Sequence, residues 1–291
     1  MSLNYINSDC LKFLSNLENN SVDLIITDPP YFIGFDGGKG WDSQWENESD
    51  YLQWCSEWIK ECSRVLKKNR MLIVWGTLKT ETFLKFKLQT SKLKELEPQN
   101  EIIWSYNWGG RSKINFARKH EYAWCWSKGE NFLFNSDKVL QERKLKKNMR
   151  TGENYEKGSI PTSVWEKNNH TTSKDYIGWH PTTKNLEVLE RMILAYSNPE
   201  DKILDIFMGS GSTAIAGIRN NRKIIGKGPV AKFFSDKSIL ALLKVCQIDE
   251  KGSVFFVCNQ TSEANRFAGI VSRSSLYILF GSEDSLFFSK A

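Results

Sequence analysis

Short apolar runs alternate along the chain with longer segments in which apolar residues recur every three or four positions. Leu3–Asn7 reads as a short strand, and Ser8-Asp9-Cys10 turns into a helix carrying Leu11, Leu14 and Leu17. The run Val22–Ile26, with Val22, Leu24, Ile25 and Ile26, predicts a buried strand reaching Asp28, and Pro29-Pro30 forbid it to continue. A helix is expected over Asp50–Leu66, a strand over Met71–Trp75, a helix around Lys79–Leu96, and strands over Ile102–Tyr106 and Tyr122–Trp126. Further on, Leu186, Leu189, Met192, Ile193 and Tyr196 form one apolar helical face. Asn198–Asp201 is then a turn, Lys202–Phe207 a strand, and a helix from about Ala214 leads to a strand at Arg222–Gly226. Strands separated by helices predict parallel βαβ units and an α/β fold.

Two stretches break this rhythm. Asn107–Lys119 is polar and basic, with Arg111, Lys113, Arg118 and Lys119 around Gly109-Gly110. Asn135–Ile177 is charged and loop-rich, holding Lys138, Arg143, Lys144, Lys146, Lys147 and Arg150 among the aromatics Tyr155, Trp165 and Tyr176. Charge runs are usually solvated surface, so composition alone fits a plain insertion. The sharper reading is a nucleic-acid contact module in which Lys and Arg meet phosphates. The net charge of +6 over 291 residues agrees with a polyanionic partner without establishing one. A third loop, with Gly34, Gly37, Gly38 and Gly40 before Trp41-Asp42, is too rich in glycine to be fixed by its own packing, and is expected to be mobile.

Other chemistry is limited. The six cysteines form no C-x-x-C pair and the three histidines no H-E-x-x-H, so reduced thiols, a cytoplasmic protein and no metal are expected. Met1–Cys10 lacks a basic and apolar leader pattern, and no apolar stretch of about 18 residues predicts a membrane span. Two candidate sites remain. Asp28-Pro29-Pro30-Tyr31 puts a carboxylate and a phenol on a stiff turn at the carboxyl end of a strand, where open α/β sheets bind ligands. Asp205-Ile206-Phe207-Met208-Gly209-Ser210-Gly211-Ser212-Thr213 is a glycine loop between strand and helix. It has neither the dinucleotide glycine spacing nor a phosphate-loop lysine, and a ligand carboxylate fits its helix N-terminus as well as a phosphate does.

Together these motifs resemble the β-class DNA amino-methyltransferases that use S-adenosylmethionine. The family's D-P-P-Y is Asp28–Tyr31 and its D-x-F-x-G-S-G is Asp205–Gly211; His180-Pro181-Thr182-x-Lys184 is a third match and Ser8-Asp9-Cys10 with Ser21-Val22-Asp23 a fourth. The resemblance covers about residues 3–226 and implies a Rossmann-like, doubly wound, mostly parallel sheet with a small target-recognition insertion. It divides the chain into a catalytic part (1–134), the insertion (135–178), a cofactor-binding part (179–226) and an atypical C-terminal tail (227–291).

The resemblance also implies roles. Asp28, helped by a carbonyl of the Asp28–Pro30 turn, accepts from the target amino group, and Tyr31 stacks on the extruded base. Asp9 and Cys10 lie near the cofactor's adenine, Asp205, Phe207 and Gly209–Thr213, assisted by Thr182, bind its methionine portion, and Asp28 also belongs to the cofactor-binding set. Arg111, Lys113, Arg118, Lys119, Arg143, Lys144, Lys146 and Lys147 contact DNA. Asp at the head of D-P-P-Y favours adenine N6 in double-stranded DNA over cytosine N4. A restriction–modification setting with a cognate endonuclease, and a homodimer, are part of the same implication.

The pattern fails in two places. Lys184 is followed by Asn185 where the family has Pro, and two positions after Gly226, where the family has an acidic residue gripping the cofactor ribose, stands Gly228, then Pro229. That gap raises the alternative of a disabled DNA-binding relic. The short apolar runs Val254–Val257, Leu276–Phe280 and Leu286–Phe287 of the tail read as strands without a role, and the abrupt loss of family pattern after Gly226 fits a frameshifted or replaced C-terminus and a diverged branch equally.

Overall fold

Our computed structural model describes residues 3–6, 9–34, 40, 42–77, 81–107, 109–143, 150–152, 158–167, 183–227, 255–258, 277–282 and 285–290. Its main sheet contains β1 (Leu3–Ile6), β2 (Val22–Thr27), β3 (Leu66–Gly76), β4 (Glu97–Ser105), β5 (His120–Ser127), β6 (Val164–Glu166), β7 (Lys202–Asp205) and β8 (Lys223–Lys227). The order is β1-β8-β7-β2-β3-β5-β4-β6. Every neighbouring pair is parallel except those made by β5, which runs antiparallel between β3 and β4.

The helices are α1 (Cys10–Ser15), α2 (Glu48–Val65), α3 (Glu81–Thr90), α4 (Leu186–Tyr196) and α5 (Ser212–Arg219). They cover both faces of the sheet. Leu24, Ile26, Met71, Ile73 and Trp75 pack on one side with Leu189, Met192 and Ile193 of α4 and Ile215 and Ile218 of α5. Ile25, Leu72, Val74 and Leu204 pack on the other with Phe13 of α1, Trp58, Ile59 and Cys62 of α2, and Phe86 of α3. Strands buried on both faces read as continuous apolar runs, and β2 is buried from end to end.

Several expectations change. β3 begins at Leu66 rather than Met71, because its polar start is held by Asp23, whose carboxylate meets Lys67 at 2.8 Å and Arg70 at 3.2 Å. The third helix ends at Thr90, where the turn Leu93 N to Thr90 O closes it short of the expected Leu96. The chain between α3 and α4 is no simple βαβ repeat, since β4 and β5 form an antiparallel pair joined by the basic loop 106–119. The insertion is not wholly solvated either. Its β6 adds to β4 at the sheet edge, Trp165 is buried, and the Trp104 indole N–H reaches the Lys167 carbonyl at 2.7 Å. In the tail, β9 (Phe255–Cys258), β10 (Tyr277–Ser282) and β11 (Ser285–Lys290) form a separate three-stranded sheet. Among the described residues no helix is long and apolar enough to cross a membrane.

Candidate active site

β2 and β7 are parallel neighbours, with Leu24 opposite Ile203 and Ile25 opposite Leu204. From β2 the chain winds outward to β3, and from β7 it winds the other way to β8, so their boundary is the switch point of the sheet. Both motifs leave the carboxyl ends of these two strands. Thr27, the last residue of β2, donates its hydroxyl to Asp205 Oδ1 at 3.0 Å, and the Phe207 amide donates to the same oxygen at 3.1 Å. The two expected sites are therefore one cleft.

The Asp28–Tyr31 turn is pinned from outside itself. Asp42 is buried and its carboxylate accepts the backbone N–H groups of Tyr31 (2.6 Å), Phe32 (2.8 Å) and Ile33 (2.9 Å). The Tyr51 hydroxyl donates to the Pro30 carbonyl at 2.9 Å. That carbonyl is thus engaged by α2. Phe32 adopts a left-handed φ of 54°, stacked on Tyr51 with ring centroids 5.4 Å apart. The packing of Phe32 on Tyr51 and the three amides on Asp42 hold a conformation that a bulky residue avoids.

Asp42→Ala removes the common acceptor of three amides. We expect at least a tenfold fall in activity together with a stability loss of about 1–3 kcal/mol, read by turnover and by thermal melting.

Around Asp28 the charges are close. The Tyr31 hydroxyl donates to Asp28 Oδ1, and the Lys184 ammonium lies 2.5 Å from Oδ2 and 3.1 Å from Glu121 Oε2, the latter an ion pair rather than a directed hydrogen bond. Lys184 is almost fully buried, at 6% side-chain exposure. Burial alone disfavours its charge, but Asp28 and Glu121 outweigh that and hold its pKa above the usual lysine value. Burial raises the Glu121 carboxyl, with Lys184 opposing and Asp28 adding to the rise. Burial, then the negative charges of Asp28 and Glu121, push the Tyr31 phenol well above its usual value.

Across the cleft, burial raises Asp205 to about 6 against hydrogen bonds from Thr213, Phe207 and Thr27. Gly209 (φ 46°) and Gly211 (φ 77°) take left-handed conformations that place the loop ahead of α5. Gly211 is the N-cap and has no side chain with which to cap the helix. A side chain on Gly226 of β8 would have its Cβ 1.7 Å from Met208 Cε, which keeps that strand bare beneath the loop. Phe207 packs 5.5 Å from both Trp54 and Trp58, tying the glycine loop to α2 and so to Tyr51.

The remaining expected residues divide. Asp9 caps α1 by accepting from Leu11 N (2.9 Å) and Lys12 N (3.2 Å), and Cys10 is buried in the cluster that holds Leu204 and Ile206. Their segment follows β1, whose carboxyl end lies on the same sheet edge as those of β7 and β2. Arg111, Lys113 and Arg118 are exposed, but Arg118 bonds Thr77 Oγ1 at 3.4 Å and Lys119 is half-buried on the Gly109 carbonyl at 2.7 Å, so these two also brace the loop. Arg143 is half-buried. Thr182, Lys144, Lys146, Lys147, Gly228 and the glycines Gly37 and Gly38 lie outside the described residues. Sequence reasoning missed Asp42, Tyr51 and Glu121 as parts of the site. For Lys184 the signal was present, because it closes the His180-Pro181-Thr182-x-Lys184 motif.

A family profile described as DNA methylase matches residues 22–228. The chain belongs to that family. This DNA methylase is 35% identical over 228 residues to the type II methyltransferase M.HpaI of Haemophilus parainfluenzae, covering 78% of this chain and 70% of the relative. To the DNA adenine methyltransferase YhdJ of Escherichia coli (strain K12) it is 35% identical over 235 residues, 76% of each. Among solved structures the PvuII DNA methyltransferase (cytosine-N4-specific) superposes with a TM-score of 0.66 at 17% identity, over 95% of both chains. The M1.HpyAVI–SAM complex gives 0.56 at 21% identity, over 83% of this chain and 99% of that one. At these identities the structures speak for the doubly wound fold, and the family resemblance drawn from the motifs is borne out.

Proposed function

We propose that this methylase transfers a methyl group from S-adenosylmethionine to the exocyclic N6 of an adenine flipped out of double-stranded DNA. The observation that carries the reading is the 3.0 Å bond from Thr27 to Asp205, which sets the Asp28 turn and the glycine loop side by side at the switch point. The residues fit the cofactor. Asp205 is a buried carboxylate suited to a ligand cation or hydroxyl, and the first-turn amides of α5, uncapped by Gly211, suit a ligand carboxylate. When bound, the cofactor supplies an electrophilic methyl group on a sulfonium.

The chain's own residues do the rest. Adenine N6 is a weak nucleophile because its lone pair is delocalised into the ring. Asp28 and the Pro29 carbonyl accept its two N–H groups, draw the nitrogen toward tetrahedral geometry and stabilise the positive charge that develops there. In-line attack then needs mainly positioning. The base is unreachable inside a duplex and is flipped into the cleft, where the Tyr31 ring is its platform.

The loop at 107–119 and the insertion at 135–178 supply target recognition in this reading, between a catalytic part (1–134) and a cofactor-binding part (179–226). Arg111 and Lys113 face phosphates, and Ile114 and Phe116, 97% and 98% exposed, offer apolar surface that nucleobases can cover. A cognate restriction endonuclease agrees with the type II name of M.HpaI, and a homodimer belongs to the same setting. The Asp at the head of the catalytic motif and the adenine activity named for YhdJ favour N6 over cytosine N4.

Hydrolysing DNA from a host without adenine methylation, after expression of this chain, is expected to yield N6-methyladenine. N4-methylcytosine in its place reassigns the base; neither product, with no cofactor binding in calorimetry, leaves a DNA-binding relic.

A further inference from the structure

Asp28 has two carboxylate oxygens, and in the free protein each already has a donor. Oδ1 takes the Tyr31 hydroxyl and Oδ2 takes Lys184. The two donors differ in what substrate entry asks of them. Tyr31 sits on the same turn as Asp28 and is only partly buried, whereas Lys184 is buried and is held on its other side by Glu121 at 3.1 Å. Its ammonium also lies 5.5 Å from the centre of the Trp75 ring and 6.0 Å from that of Tyr31.

Charge count explains the second carboxylate. Lys184 paired with Asp28 alone would be a neutral unit, poorly suited to a nitrogen that gains positive charge. With Glu121 the trio carries a net charge of −1, that of an isolated Asp28, while one of its oxygens is fixed in place.

We propose that Lys184 and Glu121 are a positioning pair for methyl transfer: Lys184 keeps Asp28 Oδ2 throughout turnover, Glu121 restores the negative charge, and the target amino group displaces Tyr31 from Oδ1. The inference rests on the methyltransferase reading above and adds two positioning residues and an exchangeable donor to it. Glu121 is the second residue of β5 and lies two residues past Lys119, so the pair also joins the loop read as recognising DNA to the turn that holds the base.

Among the described residues, the titratable and charged groups acting on the trio are Tyr31, Tyr106 and Asp205, with Arg118 next to Tyr106. Of these only Arg118 is a cation, and it is exposed, so removing Lys184 leaves two carboxylates facing each other with little compensation. The acid limb of the kcat profile then moves to higher pH, because the lost ammonium no longer opposes the burial that raises the Glu121 carboxyl.

The test measures kcat, the KM for DNA and the pH profile, using unmethylated bacterial genomic DNA and labelled S-adenosylmethionine, with melting and cofactor binding as controls on folding. Lys184→Met is expected to lower kcat about a hundredfold, with the acid limb shifted upward and cofactor affinity unchanged within threefold. Lys184→Arg keeps the charge and is expected to return the acid limb to its wild-type position. Glu121→Gln, nearly isosteric and thus the safer variant for folding, is expected to lower kcat about tenfold with little change in KM. Tyr31→Phe, which keeps the ring and loses the hydroxyl to be displaced from Oδ1, is expected to lower the KM for DNA, and an unchanged KM removes the exchangeable donor. Wild-type kcat and an unmoved acid limb in both Lys184→Met and Glu121→Gln overturn the pair while leaving the methyltransferase reading standing. Wild-type protein that transfers no methyl group overturns both.

Discussion

Asp28→Ala is expected to lower kcat for DNA methylation by about 10²–10³ while DNA retention and S-adenosylmethionine binding persist. The size of the effect follows from the electrostatics of the turn. The place of its carboxylate is fixed by a proline pair, by Lys184 on one oxygen and by the three amides that Asp42 gathers behind it. Loss of the side chain leaves a rigid site in which the Pro29 carbonyl alone remains to accept from the two N6 N–H groups. Folding is expected to survive, because Lys184 keeps Glu121 as a partner and its charge is not stranded. Asp28→Asn is the informative companion. It retains one acceptor oxygen, which can serve Lys184 or the target amino group but not both, so an intermediate kcat is expected. Labelled methyl transfer to genomic DNA gives the rates, and a mobility shift gives DNA retention. Methylation by Asp28→Ala at the wild-type rate would remove Asp28 from the chemistry.

Why that residue was readable from sequence, and Glu121 was not, is a matter of range. Asp28 stands beside two prolines that end a buried strand, and all of that information is local. The α4 helix was legible to the residue for the same reason, as its apolar face repeats within eleven positions between an Asn185 cap and Ser197. Strand order is not local. Nothing in Tyr122–Trp126 says that this segment inserts antiparallel between β3 and β4, since alternation fixes which faces are buried and not which neighbours are met. The same holds for Asp42 and Glu121. Each is an acidic residue in a polar context whose function depends on backbone amides or an ammonium brought in by the fold, 9–11 positions away for Asp42 and 63 positions in sequence from Glu121 to Lys184. β3 began earlier than its apolar core because Lys67 and Arg70 look like loop residues until Asp23 is seen opposite them. The adjacency of the two motifs was inferable only through the family resemblance; the β2–β7 pairing supplies its physical cause.

Asp205 joins stability and function in opposite directions. Burial holds its carboxyl at about 6, against an ordinary value near 3.9, so the ionised form is disfavoured in the folded chain. The sign follows from proton binding: between about pH 4 and 6 the folded state holds more protons than the unfolded one, and stability from this group falls as pH rises through that window. At pH 7 the ionised carboxylate therefore costs about 3 kcal/mol. Asp205→Asn keeps an oxygen for the Thr27 hydroxyl and the Phe207 amide and removes the charge, and is expected to raise the melting temperature of the free protein by several degrees at pH 7. That advantage shrinks toward zero below about pH 4, where the wild-type carboxyl is protonated in both states. The same change is expected to weaken S-adenosylmethionine about 10- to 100-fold, because a hydrogen bond or ion pair to the charged group is lost. In the wild type, affinity for the cofactor should fall by up to tenfold per pH unit below about 6, and binding there should release a proton, which calorimetry in buffers of different ionisation enthalpy detects. A site that retains a destabilising buried charge does so because the ligand supplies what the fold withholds. An Asp205→Asn protein that is no more stable, and binds cofactor as the wild type does, would show that the charge is compensated within the chain itself.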